Sequence, residues 1–225
     1  MLTIYGGSLG PYTMRVLLQV RAKGLEYEQR PTLGGDSKSA EYLALNPMGR
    51  VPAMRHGNFV LPESAVIAEY LEDAFPEPRM LPLGLQGRAR ARLIVRLVDL
   101  YLTRSIHPLY NQMNVALNGG QPDKAVVAAS MVDLNSALGY LDHYVAPGPY
   151  AVVPAQTLAD FALLPYLFFF KIVLPFYDKP IVPAQPNLNA WWVANESTEQ
   201  AKTMSAEMEA AWQAFRQRAA AQTQS

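Results

Sequence analysis

Residues 46 to 64 read Asn-Pro-Met-Gly-Arg-Val-Pro-Ala-Met-Arg-His-Gly-Asn-Phe-Val-Leu-Pro-Glu-Ser. Proline has no N–H to give to a ladder, so Pro52 cannot lie inside a central strand and must stand where one begins. It also drives Val51 into an extended conformation. The stretch therefore reads as a hairpin, with strands over Val51 to Arg55 and Phe59 to Leu61 and a turn at His56-Gly57-Asn58. Glu63-Ser64 then opens a helix that runs to Phe75 and carries Ile67, Tyr70, Leu71 and Ala74 on one side. Free N–H groups at a helix start suit a carboxylate, which makes Ser64 a candidate anion contact. The same residue also serves as an ordinary N-cap, with Glu63 an acid at the helix start.

Working outward, Leu2 to Tyr5 is a short apolar run closed by Gly6-Gly7, as in a buried strand. Pro11 at a first helical position and Gly24 just past the end bracket a helix with Met14, Leu17, Leu18 and Val20 on its apolar face. Glu26 to Arg30 is a second strand, and Lys38 to Leu45 a short helix ended by Asn46-Pro47. The order is β-α-β-α-β-β-α. Residues 75 to 84 hold three prolines and read as a linker, which places a domain boundary between 76 and 87. Beyond it every pattern is helical: 88 to 113, 123 to 145, a run opened by the Thr157–Asp160 capping box, and a tail around Trp191, Trp192 and the alanines up to Ala220. The most apolar run, 161 to 177, is interrupted by Pro165, Lys171 and Pro175 and falls short of the roughly 20 residues a membrane span needs. It is expected as a buried helix.

The hairpin stretch resembles the glutathione transferase family. The resemblance is carried by Asn46, Pro47, Gly49, Val51, Pro52, Glu63 and Ser64. It implies an α/β plus all-α architecture: a thioredoxin-like domain over 1–78 that binds glutathione, and an all-helical domain over 86–225 that contributes a hydrophobic substrate site. It implies a cis Val51–Pro52 bond, with the Val51 backbone turned to a groove where an extended peptide pairs as an added strand. Glutathione, a γ-Glu-Cys-Gly tripeptide, is then the cosubstrate. Ser64 takes its γ-glutamyl carboxylate, helped by the helix dipole. Glu63 faces its amine side, and Arg50 reaches its glycine carboxylate unless it is simply a solvated surface arginine.

The thiol end departs from the family pattern. A thiol has an unperturbed pKa of ~8.5, so the thiolate needs stabilising at neutral pH. Helix N-termini and hydroxyl donors do this. In many serine- or cysteine-type relatives the residue before the matching proline brings the hydroxyl or thiol; here that residue is Gly10, ahead of Pro11. Three hydroxyls stay open as candidates: Ser8 on the loop, Tyr5 at the end of the first strand, and Tyr12 just inside the helix. Each also has a plain role, as loop hydrogen-bonder, core residue or surface residue. Backbone N–H groups alone are a fourth alternative. For the apolar site the candidates are Tyr101, His107, Tyr110 and Met113, a pattern that a helical core produces as well.

Composition narrows the function further. Half of the 225 residues are hydrophobic, enough for a sizeable core, and formal net charge is zero, without the basic footprint of a nucleic-acid partner. There is no cysteine, so disulfides, thiolate metal sites and a redox pair are excluded, and any thiol chemistry must use a ligand's thiol. Three scattered histidines suggest no metal site, and Gly6, Gly7 and Gly10 do not fit a phosphate loop. The N-terminal residues lack the features of a secretory signal, so a cytoplasmic protein without membrane association is expected. The resemblance implies a homodimeric glutathione transferase that adds the thiolate to an apolar electrophile, as in detoxification. The alternatives are a glutathione-binding interaction module with little catalysis, or a glutathione-dependent isomerase, ether-cleaving enzyme or peroxidase on the same fold.

Overall fold

The computed structural model describes residues 1–33 and 36–223. The chain forms two compact units, Met1–Met80 together with the chain from Lys202 onward, and Leu81–Ala201. The helical domain expected over 86 to 225 is shorter than that: the last helix groups with the first unit, where Arg21 Nη1 meets Glu207 Oε1 at 2.9 Å.

The first unit contains β1 (Leu2–Tyr5), α1 (Pro11–Ala22), β2 (Tyr27–Arg30), α2 (Ala40–Leu45), β3 (Ala53–His56), β4 (Phe59–Pro62) and α3 (Ser64–Ala74). The sheet order is β2-β1-β3-β4. The crossover through α1 makes β1 and β2 parallel, and the hairpin makes the other two pairings antiparallel. Strand β3 begins at Ala53, two residues later than the sequence suggests, because Val51 and Pro52 stay outside the ladder.

Side chains of β1 alternate between two faces. Ile4 lies fully buried in the core with Val16, Leu17 and Val20 of α1, Met54 of β3, and Ile67 and Leu71 of α3. Tyr5, on the opposite face, packs with Tyr42 and Ala53 and against Leu33, Leu45 and Val51. One buried charge cluster ties α1 to α3 and to the chain that follows it. Lys23 Nζ donates to Glu72 Oε1 at 2.8 Å, to Phe75 O at 2.8 Å and to Pro78 O at 2.9 Å. Glu72 also accepts from Gln19 Nε2 and from the Met80 N–H.

The second unit contains α4 (Leu85–Leu97), a π-helical turn at Val98–Leu102, α5 (Thr103–Leu117), α6 (Lys124–Tyr144), α7 (Leu158–Leu163), α8 (Pro165–Val173) and α9 (Pro186–Asn195); α10 (Glu199–Thr223) follows. The long helix expected over 88 to 113 is thus interrupted. Thr103 Oγ1 donates to the Val98 carbonyl at 2.9 Å, alongside the Thr103 N–H, and the ladder widens there. The apolar run 161 to 177 breaks into three pieces, with Pro165 opening α8 and Pro175 opening a 3₁₀ turn. The capping box forms, and Asp160 also accepts from the Ala151 N–H and Trp191 Nε1. No helix among the described residues is long and apolar enough to cross a membrane.

Candidate glutathione site

Three segments meet at one end of the sheet. Tyr5 pairs with Ala53, and Ala53 pairs with Pro62. The chain just past β1, just before β3 and just after β4 therefore leaves the sheet at the same edge. These are Gly6 to Ser8, Val51-Pro52 and Glu63-Ser64.

The loop before β3 is fixed by Asn46, which is fully buried. Its Nδ2 donates to the Arg50 carbonyl at 2.8 Å, and the Tyr42 hydroxyl donates to the same oxygen at 2.8 Å. Asn46 Oδ1 accepts from the Met48 N–H, and its carbonyl accepts from the Gly49 N–H. Gly49 has φ +56°, and a Cβ there would stand 2.8 Å from the Ser37 carbonyl, so glycine is required. This clamp sets the backbone just ahead of Val51. The Val51–Pro52 bond is cis. Pro52 is buried, Val51 half-buried and the Arg50 side chain exposed.

At α3 the N-cap is Glu63, not Ser64; Ser64 is the first helical residue and is 5 % exposed. Glu63 has φ +69° and ψ +103°, and no side chain caps the helix. A non-glycine residue held in that region costs of order 1–3 kcal/mol, and such outliers cluster at ligand sites. The N–H groups of the first turn of α3 thus start without a side-chain acceptor, next to the Val51-Pro52 segment.

The thiol candidates sit in different environments. Ser8 is half-buried, and its Oγ accepts from Gln29 Nε2 at 3.1 Å. Tyr5 is 3 % exposed and part of the core cluster. Tyr12, second in α1, is half-buried with the Arg15 guanidinium 4.8 Å from its ring centre. Gly10 is the N-cap of α1, with φ −72° and ψ 126° and no side-chain cap. Thr13, three residues on, is fully buried, and its Oγ1 has no hydrogen-bond partner among the described residues. That hydroxyl lies 2.6 Å from where a Gly6 Cβ would stand, so Gly6 lets the loop lie against α1.

In the second unit Tyr101 is exposed and packs edge-on to Tyr140 at 5.4 Å between ring centres. Tyr110 meets Phe169 edge-on and His107 nearby, and burial pushes its hydroxyl pKa up. Met113 is buried. The sequence does not point to Tyr42, to Gln29 or to the Thr13 hydroxyl, although the Tyr12 and Thr13 N–H groups are expected donors at the start of α1. Tyr42 and Asn46 share the Arg50 carbonyl, a signal present in the Asn-Pro-x-Gly spacing; nothing local marks Gln29, whose contact to Ser8 crosses the sheet.

Known proteins resemble this chain in sequence and in fold. The family described as "Glutathione S-transferase, N-terminal domain" matches residues 4–79. Glutathione S-transferase 3 of Zea mays is 32% identical over 200 residues, covering 86% of this chain and 88% of the relative. The maleylacetoacetate isomerase of Pseudomonas aeruginosa is 31% identical over 172 residues, covering 73% and 78%. The solved structure of glutathione S-transferase III in apo form superposes with a TM-score of 0.75 at 30% identity, over 91% of this chain and 95% of that one. With its thioredoxin-like mixed sheet followed by helices, this chain belongs to the glutathione transferase family.

Proposed function

We propose that this protein is a glutathione transferase: it binds glutathione at the 51–52 and 63–64 segments, stabilises its thiolate, and adds the sulfur to an apolar electrophile. The observation that carries the reading is the convergence at one sheet edge of the Val51-Pro52 backbone, the uncapped start of α3 and the Ser8 loop. The γ-glutamyl carboxylate sits on the Ser64 N–H and hydroxyl, where the helix dipole favours negative charge. The cysteinyl backbone pairs with Val51 as a short added strand. Glu63 takes the ligand's ammonium, and Arg50, with its carbonyl clamped and its side chain exposed, takes the glycine carboxylate.

For the sulfur, Ser8 is the donor this reading favours. It is accessible where Tyr5 is buried, and it stands on a loop already fixed by hydrogen bonds. The protein's contribution to rate is positioning of two reactants and preorganised donors around the developing charge. Residues 1–78 form the glutathione-binding domain, and the helices of the unit from Leu81 to Ala201 supply the electrophile's pocket, with Tyr101, His107, Tyr110 and Met113 as candidate lining. A homodimer is part of the reading, supported by exposed apolar side chains such as Leu100 and Tyr140. The cytoplasm, where glutathione is kept reduced, is the compartment it calls for, and detoxification of electrophiles its use.

Glutathione-dependent isomerisation is a second reading, favoured by the isomerase relative; the same site serves it, since the thiolate adds to an activated double bond and later leaves. A binding module with little catalysis is the third, favoured by Gly10. Turnover with an aryl halide, turnover with a cis-enedione and calorimetric titration with glutathione separate the three. Transfer to the aryl halide supports the first reading, turnover of the enedione alone the second, and binding without turnover the third.

A further inference from the structure

Gln29 stands in β2 opposite Ile4 of β1. Its Nε2 donates to the Gly6 carbonyl at 2.9 Å and to Ser8 Oγ at 3.1 Å. The carbonyl decides which way round the amide lies: a carbonyl only accepts, so the group facing it is the NH₂ and not the oxygen. The second hydrogen of that NH₂ falls on Ser8 Oγ, which must accept it. A hydroxyl has one proton and two lone pairs. With a lone pair engaged by Gln29, the Ser8 proton is turned away from Gln29 and is available to another acceptor. The loop that carries Ser8 is held at further points as well. The Gly6 N–H donates to the Arg30 carbonyl at 2.9 Å, and the space beside Gly6 is closed by Thr13 Oγ1 and Val51 Cβ.

We propose that Gln29 is a positioning residue for thiol activation: it fixes Ser8 as a donor aimed at the glutathione sulfur and never touches the sulfur itself. This inference rests on the reading of Ser8 as the sulfur's hydroxyl donor. A carboxylate at position 29 would have the opposite effect, because it can only accept and so draws the Ser8 proton to itself. Leucine would leave the hydroxyl free to rotate.

The test titrates bound glutathione in the full-length protein, following the ultraviolet absorbance of the thiolate against pH, with calorimetric affinity measured in parallel. Ser8→Ala is expected to raise the apparent thiol pKa by about one to two units, the size of a hydrogen bond to a charged acceptor. Gln29→Glu is expected to raise it as far, and Gln29→Leu by a fraction of that, both with glutathione affinity within about twofold of the parent, a change too small to distinguish from additivity error. The Ser8→Ala/Gln29→Glu double variant is expected to match Ser8→Ala alone, since there is no hydroxyl left to reorient. If both Gln29 variants titrate like the parent while Ser8→Ala shifts, the positioning role is overturned and Ser8 remains the donor. If Gln29→Glu shifts the titration equally with and without Ser8, its charge is the cause and the positioning role is again overturned. If Ser8→Ala itself titrates like the parent, the Ser8 reading fails and the role of Gln29 falls with it.

Discussion

Replacing Lys23 with Met should destabilise the first unit strongly. The Lys23 side chain is 0 % exposed and Glu72 7 %, so neither charge is relieved by water. All three ammonium protons are used, on Glu72 Oε1 at 2.8 Å and on the carbonyls of Phe75 and Pro78 at 2.8 and 2.9 Å. Methionine keeps the length and the apolar stem but strands the Glu72 charge with Gln19 Nε2 and the Met80 N–H as its donors among the described residues. Removing one partner of a buried pair costs roughly 3–5 kcal/mol, a large part of the ~5–15 kcal/mol by which a domain is stable. Removing both charges should cost less. The Phe75 and Pro78 carbonyls lose their donor in both variants, so Lys23→Met/Glu72→Met differs only in exchanging the stranded carboxylate for an unpaired Met80 N–H and an unpaired hydrogen of the Gln19 amide. A neutral buried group that finds no water costs about 1–3 kcal/mol, less than an uncompensated buried ion. Urea unfolding of the parent, both single variants and the double variant, followed by far-ultraviolet circular dichroism, closes the cycle. The expected result is a double variant more stable than Lys23→Met. A Lys23→Met cost below about 1 kcal/mol, the level of an exposed pair, or strict additivity of the two single changes would refute the reasoning.

Gly10→Ser should be accommodated, because Gly10 has extended backbone angles and a Cβ there would stand 3.7 Å from Thr13 Oγ1, an ordinary contact. It should stabilise the start of α1 by a few tenths of a kcal/mol as an N-cap and raise turnover at neutral pH by adding a hydroxyl donor; unchanged or lower turnover in a steady-state assay would show that Gly10 does not face the sulfur. Ser64→Ala should weaken glutathione binding by roughly tenfold or more, from a lost hydrogen bond to a carboxylate of about 1.5–3 kcal/mol, and calorimetry showing parental affinity would remove Ser64 from the site. Asp160→Ala should lower the stability of the helical unit by roughly 3 kcal/mol or more, since it orphans two backbone N–H groups and the Trp191 indole N–H at once; a thermal shift of only one or two degrees would count against that network.

The hairpin and its flanks were legible because proline and glycine act locally. Pro52 kept Val51 out of the ladder, and Pro11 and Gly24 bracketed α1 as expected. The start of α3 was legible only to within a residue: a serine after a glutamate looks like an N-cap, but the positive φ at Glu63 shifts the cap back by one. The interruption at Val98–Leu102 left no mark on the apolar periodicity, because it comes from one Thr103 hydroxyl bonding the Val98 carbonyl. The prolines in the run 161 to 177 were visible, yet Pro165 and Pro175 open new helical pieces in place of kinking one helix. What the sequence could not disclose was pairwise and distant. Nothing local marks Lys23 and Glu72 as partners before the fold brings them together, and nothing local marks Gln29 before the β1–β2 register brings it to the Gly6 carbonyl and Ser8.

The central claim, that glutathione lies along the Val51 backbone with its carboxylate on the start of α3 and its sulfur at Ser8, is tested most directly by a crystal structure of the protein with glutathione bound. The γ-glutamyl carboxylate is expected within hydrogen-bonding distance of the Ser64 N–H and Oγ, the cysteinyl backbone paired with Val51, and the sulfur accepting from Ser8 Oγ while Gln29 still donates to that oxygen. A tripeptide bound with its carboxylate away from Ser64, or at any place other than the edge where residues 6–8, 51–52 and 63–64 meet, would contradict it.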